Sequence, residues 1–158
     1  AQLDRFLFKV HVPLPKLEEV MGILDRTTGA EAPAAEKVVS GERVRQMQQA
    51  VRQVLVAGHV KEYIGRLVLA THPDAEQAGQ AVKKYVRYGS SPRGAQAMAL
   101  GAKVLALRDG RANIAFADVR AVARPAMRHR LILSFEGQAE GIQPDQVITS
   151  VLEAVPES

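Results

Sequence analysis

The chain has 158 residues, 47% hydrophobic, 24% charged and 4% aromatic, with a net charge of +4 and neither Cys nor Trp. That is enough apolar material for one packed domain, or one and a half, and the Ala, Val and Leu content favours helices over a sandwich. The lack of Cys excludes a disulfide frame and a thiolate metal site, and no leader-like segment or long uncharged apolar run is present; the expectation is a soluble, cytoplasmic protein without a membrane span.

Phe6, Phe8, Val10 and Val12 alternate with Leu7, Lys9 and His11, a period-two pattern that predicts a strand. No second strong strand follows, and a lone strand is not viable in water. The segment is therefore expected to belong to a sheet outside this chain, to pair with a copy of itself, or to dock on the helices. Pro15 opens a helix with Glu18 and Glu19 in its first turn and an apolar stripe of Leu17, Val20, Met21 and Leu24; Gly29 stops it. Residues 30–37 are rich in Ala, Glu and Pro and read as a linker.

Ser40 caps the next helix, with Val44, Met47, Val51, Val54 and Leu55 on one face and Gly58 as its break. A third helix places Val60, Tyr63, Ile64, Leu67 and Val68 inward and ends at His72-Pro73-Asp74. Residues 74–88 read as loop, since Gly79 argues against a weak helix there, although Tyr85–Tyr88 has an extended character. A long helix follows Pro92 to about Arg108, with Ala97, Leu100, Gly101, Val104 and Leu107 as expected core. Asp109-Gly110 turns the chain. A short helix then runs to Ala123 and is interrupted by Pro125, a further helical piece covers 126–131, and residues 137–141 read as loop. Pro144 starts a last helix with Val147, Ile148, Val151 and Leu152 inward.

Gly89-Ser90-Ser91-Pro92-Arg93-Gly94 is the most informative stretch. Ser91 suits the N-cap and Pro92 the first helical position, so Arg93 falls in the first turn of a helix. A cation there is disfavoured by the helix dipole, by about 0.3–1 kcal/mol. The two positive features make sense together if a phosphate sits there, drawn by the amides and the guanidinium. Taken alone, a Ser-Pro-Arg triplet reads as a solvated surface arginine. The other candidates read as structural. His11, His59, His72 and His129 lack metal-ligand spacing, so no metal site is assigned. Glu18 and Glu19 complement a helix dipole. Arg128-His129-Arg130 reads as polar ends facing solvent around packed Met127 and Leu131, with a basic phosphate patch as the other reading. The arginines are spread along the chain, which makes a nucleic-acid-binding helical module only an alternative.

Three motifs stand in order: Leu3-Asp4-Arg5-Phe6, then Gly89-Ser90-Ser91-Pro92-Arg93, then Met127-Arg128-His129-Arg130-Leu131 with Ser134-Phe135-Glu136-Gly137. Together they resemble the C-terminal half of MoxR-type AAA+ ATPases over nearly the whole chain, least well at 30–37 and 75–80. The resemblance implies a mainly α fold. Residues 1–29 would be the last strand and helix of an αβα ATPase core, 30–40 a linker, and 41–158 the helical-bundle lid domain. It also implies roles. Arg5 matches the arginine finger, which acts on ATP held by a neighbouring subunit. Arg93, with Ser91 and Pro92, matches the sensor-2 nucleotide contact of its own subunit.

The chain contains no Gly-x4-Gly-Lys-Ser/Thr phosphate loop and no acidic pair for Mg²⁺. The expectation is thus a piece of a longer protein, inactive alone. The whole protein would use ATP and Mg²⁺ in a homo-oligomeric ring, a hexamer, and remodel client proteins alongside von Willebrand factor A-domain partners. At Ala115 the family often places a capping Thr or Ser, so a cap worth about 1 kcal/mol is missing here.

Overall fold

The computed structural model describes residues 2–29 and 34–157, so part of the expected linker, 30–33, lies outside the described residues. The described chain is mainly helical: α1 (Leu17–Thr27), α2 (Gly41–Gln53), α3 (Gly58–Leu69), α4 (Gln80–Tyr85), α5 (Pro92–Arg108), α6 (Phe116–Met127), α7 (Phe135–Ala139) and α8 (Pro144–Ala154). Two short strands, β1 (Val86–Tyr88) and β2 (Ile132–Leu133), pair antiparallel. By contacts the chain divides into residues 10–48 and a second unit made of 1–9 with 49–158. The expected boundaries at 29 and 40 differ from this division.

In the smaller unit, α1 begins where expected. Glu19 accepts a hydrogen bond from the Lys16 amide at 2.7 Å, closing the first turn. Leu17, Val20, Met21 and Leu24 are all exposed, so the predicted stripe covers no core within the described chain. Ser40 caps α2 as expected, its hydroxyl accepting from the Arg43 amide at 3.1 Å. The α2 helix ends at Gln53, earlier than the predicted break at Gly58. Leu55 leaves the helix to form a parallel bridge with Asn113, and this exposes its side chain.

Alanine and glycine set the packing of the larger unit. Val60, Tyr63, Ile64, Leu67 and Val68 of α3 are buried, as their spacing predicts. So are Val147, Ile148, Val151 and Leu152 of α8. The α5 helix spans the predicted residues, but its buried face is Gly94, Ala97, Met98, Gly101, Ala102 and Ala106. Val104 and Leu107 are exposed instead of buried. The reason is close approach: α5 lies against α6, and small residues let the two backbones come near. A Cβ on Gly101 would stand 2.6 Å from Phe8 Cζ and 3.1 Å from Val122 Cγ1.

Four further expectations are corrected. Residues 6–12 form no strand; Leu3–Arg5 is a 3-10 turn and the following residues are irregular, because no ladder partner is available. Phe8 docks on the helical core instead. Residues 74–88 are not all loop: Gly79 is the N-cap of α4, and buried Val82 and Val86 hold α4 and β1 in place. Pro125 does not interrupt α6, which continues through it to Met127. Residues 137–139, read as loop, belong to α7 (Phe135–Ala139), because Ser134 accepts from the Gly137 amide at 3.1 Å.

Candidate functional site

Ser91 is the N-cap of α5 and Pro92 its first residue, as the sequence predicts. The Ser91 hydroxyl accepts from the Arg93 amide at 3.2 Å, and the Gly94 amide donates to the Ser91 carbonyl at 2.8 Å. The first-turn amides are therefore already paired. The Arg93 guanidinium is the exposed polar group of this helix end.

The turn before α5 is held from behind. The Ser90 amide donates to Thr71 Oγ1 at 2.8 Å, and His72 Nε2 lies 3.0 Å from the Ser90 carbonyl. Both glycines of the motif are required by close approach. A Cβ at Gly89 would meet the Thr71 carbonyl at 2.7 Å, and one at Gly94 would clash with Ser90 Oγ. Buried Ser90 and Thr71 thus fix the position from which Arg93 projects.

Arg93 does not stand alone. Its Nη1 lies 3.3 Å from Asp4 Oδ2, and the Ser91 hydroxyl donates to Asp4 Oδ1 at 2.7 Å. Arg130 Nε reaches the same Oδ1 at 3.1 Å. Asp4 therefore collects three donors from two distant parts of the sequence. Partial burial works against its ionised form, but the Ser91 hydroxyl and the Arg130 and Arg93 guanidiniums outweigh this and hold its pKa below the usual carboxylate value.

Arg130 is the anchor. Its side chain is 2% exposed, against 54% for Arg93. It donates to the carbonyls of Asp4 at 2.9 Å, Phe6 at 2.7 Å and Leu7 at 3.2 Å, and to that of Ala126. His129 Nε2 lies 3.0 Å from the Phe6 carbonyl, and Arg128 Nη1 donates to the Lys9 carbonyl at 3.2 Å while pairing with Asp145. The sequence pattern predicts that the polar ends of Arg128-His129-Arg130 face solvent; the triplet clamps residues 4–9 instead. Buried charge without a partner is costly, so these donors must find acceptors, and bare carbonyls of an irregular segment supply them.

Arg5, next to Asp4, is exposed, and its side chain makes no hydrogen bond or ion pair among the described residues. Arg5, Ser91, Pro92 and Arg93 are thus brought to one region by Asp4, which the sequence pattern does not mark as a site residue, and by Arg130 of the third motif. The only signal for Asp4 was its place beside Arg5. The donor set suits the phosphates of ATP. It does not suit Mg²⁺, because the nearby carboxylate is already engaged by three donors. Among the described residues no group of three or more His, Cys, Asp or Glu could hold a metal ion, and no helix is long and apolar enough to cross a membrane.

Residues 78–151 match the AAA lid domain family. Over 155 residues the chain is 35% identical to Chaperone MoxR1 of Mycobacterium tuberculosis, covering 98% of this chain and 41% of that protein. It is 29% identical to Protein MoxR of Paracoccus denitrificans over 158 residues, covering 91% of this chain and 46% of the relative. A crystal structure of a candidate ATPase from Cytophaga hutchinsonii superposes with a TM-score of 0.89 at 31% identity, covering 98% of this chain and 47% of that one. The chain therefore spans less than half the length of each of these relatives.

Proposed function

Since this chain belongs to the MoxR-type AAA proteins and carries their lid domain, we propose that it serves as the nucleotide-responsive part of an ATP-hydrolysing, chaperone-like protein. Arg93 contacts a phosphate of bound ATP, and Arg5 is the finger that neutralises charge as the γ-phosphoryl group leaves ATP in a neighbouring subunit. The observation that carries this reading is the placement of Arg93. It projects from the first turn of α5, from a loop fixed by Thr71 and Ser90, next to the turn that bears the exposed Arg5. ATP and Mg²⁺ are the cofactors of the whole protein, which works as a homo-oligomeric ring, a hexamer, in the cytoplasm. Client proteins, with von Willebrand factor A-domain partners, are its targets.

The lid acts by population shift. Contacts to phosphate favour one arrangement of the nucleotide-binding surface, and their loss after hydrolysis releases it. A nucleic-acid-binding role is less well supported. Arg111, Arg120, Arg124, Arg128 and Arg130 are engaged with acceptors inside the chain, so they do not form a free basic face.

The test is made in the whole protein. Arg5→Ala should lower kcat by about 10³-fold or more with nucleotide affinity retained. Arg93→Ala should weaken nucleotide binding. Normal turnover in both variants would overturn the reading.

A further inference from the structure

We propose that Asp4 is an internal stand-in for phosphate, which holds the Arg93 guanidinium until a polyphosphate displaces it. The inference rests on the reading of Arg93 as a phosphate contact and says how that contact is regulated.

The three donors on Asp4 differ in how easily they can be exchanged. Arg130 is 2% exposed and tied to the Asp4, Phe6, Leu7 and Ala126 carbonyls, so it cannot leave. The Ser91 hydroxyl is held in place as the cap of α5, and its 2.7 Å contact is short. These two fix Asp4. Arg93 is different. It reaches Asp4 through one nitrogen at 3.3 Å and is 54% exposed. An exposed single contact of this kind is weak, and the rest of the guanidinium faces solvent.

The Asp4 carboxylate carries one negative charge and meets Arg93 through one oxygen, its other being taken by Ser91 and Arg130, whereas a terminal phosphate carries more charge and has oxygens free to accept two guanidinium hydrogen bonds side by side. Arg93 would exchange Asp4 for phosphate, while Asp4 keeps Ser91 and Arg130. Small monoanions would gain nothing over the carboxylate already present. Asp4 thus sets a threshold of charge that a ligand must exceed. It also lies next to Arg5 in the same 3-10 turn, so the departure of Arg93 removes one tie from the residues that carry the finger.

The test uses the 158-residue chain with inorganic tripolyphosphate as the probe. Asp4→Asn keeps an acceptor for Ser91 and Arg130 but removes the competing charge. It should bind tripolyphosphate about two- to five-fold more tightly than the unaltered chain, the range expected for one exposed charge contact. In the unaltered chain, the Arg93 Nε resonance should move on titration while that of Arg130 stays, a readout that does not depend on the variant folding. Equal or weaker binding by Asp4→Asn, or an Arg93 resonance unmoved at saturation, would overturn the exchange. Arg93→Ala separates the two ideas: if it binds tripolyphosphate as well as the unaltered chain, the phosphate reading of Arg93 itself fails.

Discussion

The Arg130 guanidinium donates to the Phe6 carbonyl at 2.7 Å, joining residues 124 positions apart. Neither partner belongs to a strand or helix, so this contact and its neighbours replace the backbone ladder that the Phe6–Val12 segment lacks. Removing the guanidinium would leave the Asp4 carboxylate without its buried partner and several carbonyls unpaired. Arg130→Met should cost about 3–5 kcal/mol, as breaking a buried pair does elsewhere. Urea unfolding measures it. The Lys9 amide, which donates to the Pro125 carbonyl at 2.9 Å, should also lose its hydrogen-exchange protection. A cost under about 1 kcal/mol would show that the clamp is not a structural anchor.

Gly101 and Phe8 share one space. Gly101→Ala would put a Cβ 2.6 Å from Phe8 Cζ, and Phe8 is the group that must yield. A destabilisation of about 1–3 kcal/mol is expected, as for other overpacked sites. The added cost of Gly101→Ala should largely vanish in a Phe8→Ala background, because the clash is then gone. Additive losses in a double-mutant cycle would show that Val122 and the α6 backbone, not Phe8, set the limit.

The start of α6 can be improved. Ala115 is its N-cap with extended backbone and no side-chain cap, while the Asp118 carboxylate accepts from the Ala115 amide at 2.8 Å. Ala115→Ser keeps that bond and adds a hydroxyl able to accept from a first-turn amide. A gain of about 0.5–1 kcal/mol is expected in thermal unfolding. No gain would mean that Asp118 and Arg111, paired at 2.7 Å, already satisfy this helix end.

His129 sets a pH dependence. Burial, and then the nearby Arg130 charge, push its pKa below the ordinary 6.5, against the opposing pull of the Phe6 carbonyl; its Nδ1 is buried with no hydrogen-bond partner among the described residues. The unfolded chain therefore takes up the proton first as pH falls. The contribution is complete above pH 6.5 and is lost progressively as pH drops from there through the folded-state pKa. His129→Gln should flatten this part of the stability profile. An unchanged slope below pH 6.5 in the variant would assign the effect to other groups.

Local signals were enough for the helices whose faces meet one core. The inward residues of α3 and α8, the Ser40 and Ser91 caps and the Pro92 start follow from periodicity and capping chemistry, which act over a few residues. The positions of Ser91, Pro92 and Arg93 were legible for the same reason, as was the resemblance to a lid. The identity of the anion facing Arg93 was not. Asp4 lies 89 residues away in sequence, and only the folded chain brings it to the α5 N-terminus. The small-residue face of α5 was also hidden, because hydrophobicity favours Leu and Val while backbone approach selects Ala and Gly. The same holds for Phe6–Val12: alternation specifies a strand only where a partner edge exists, and here buried Arg130, with Arg128, supplies hydrogen bonds to the Phe6, Leu7 and Lys9 carbonyls instead. Short-range chemistry thus determined the elements, and long-range contacts decided which charges meet.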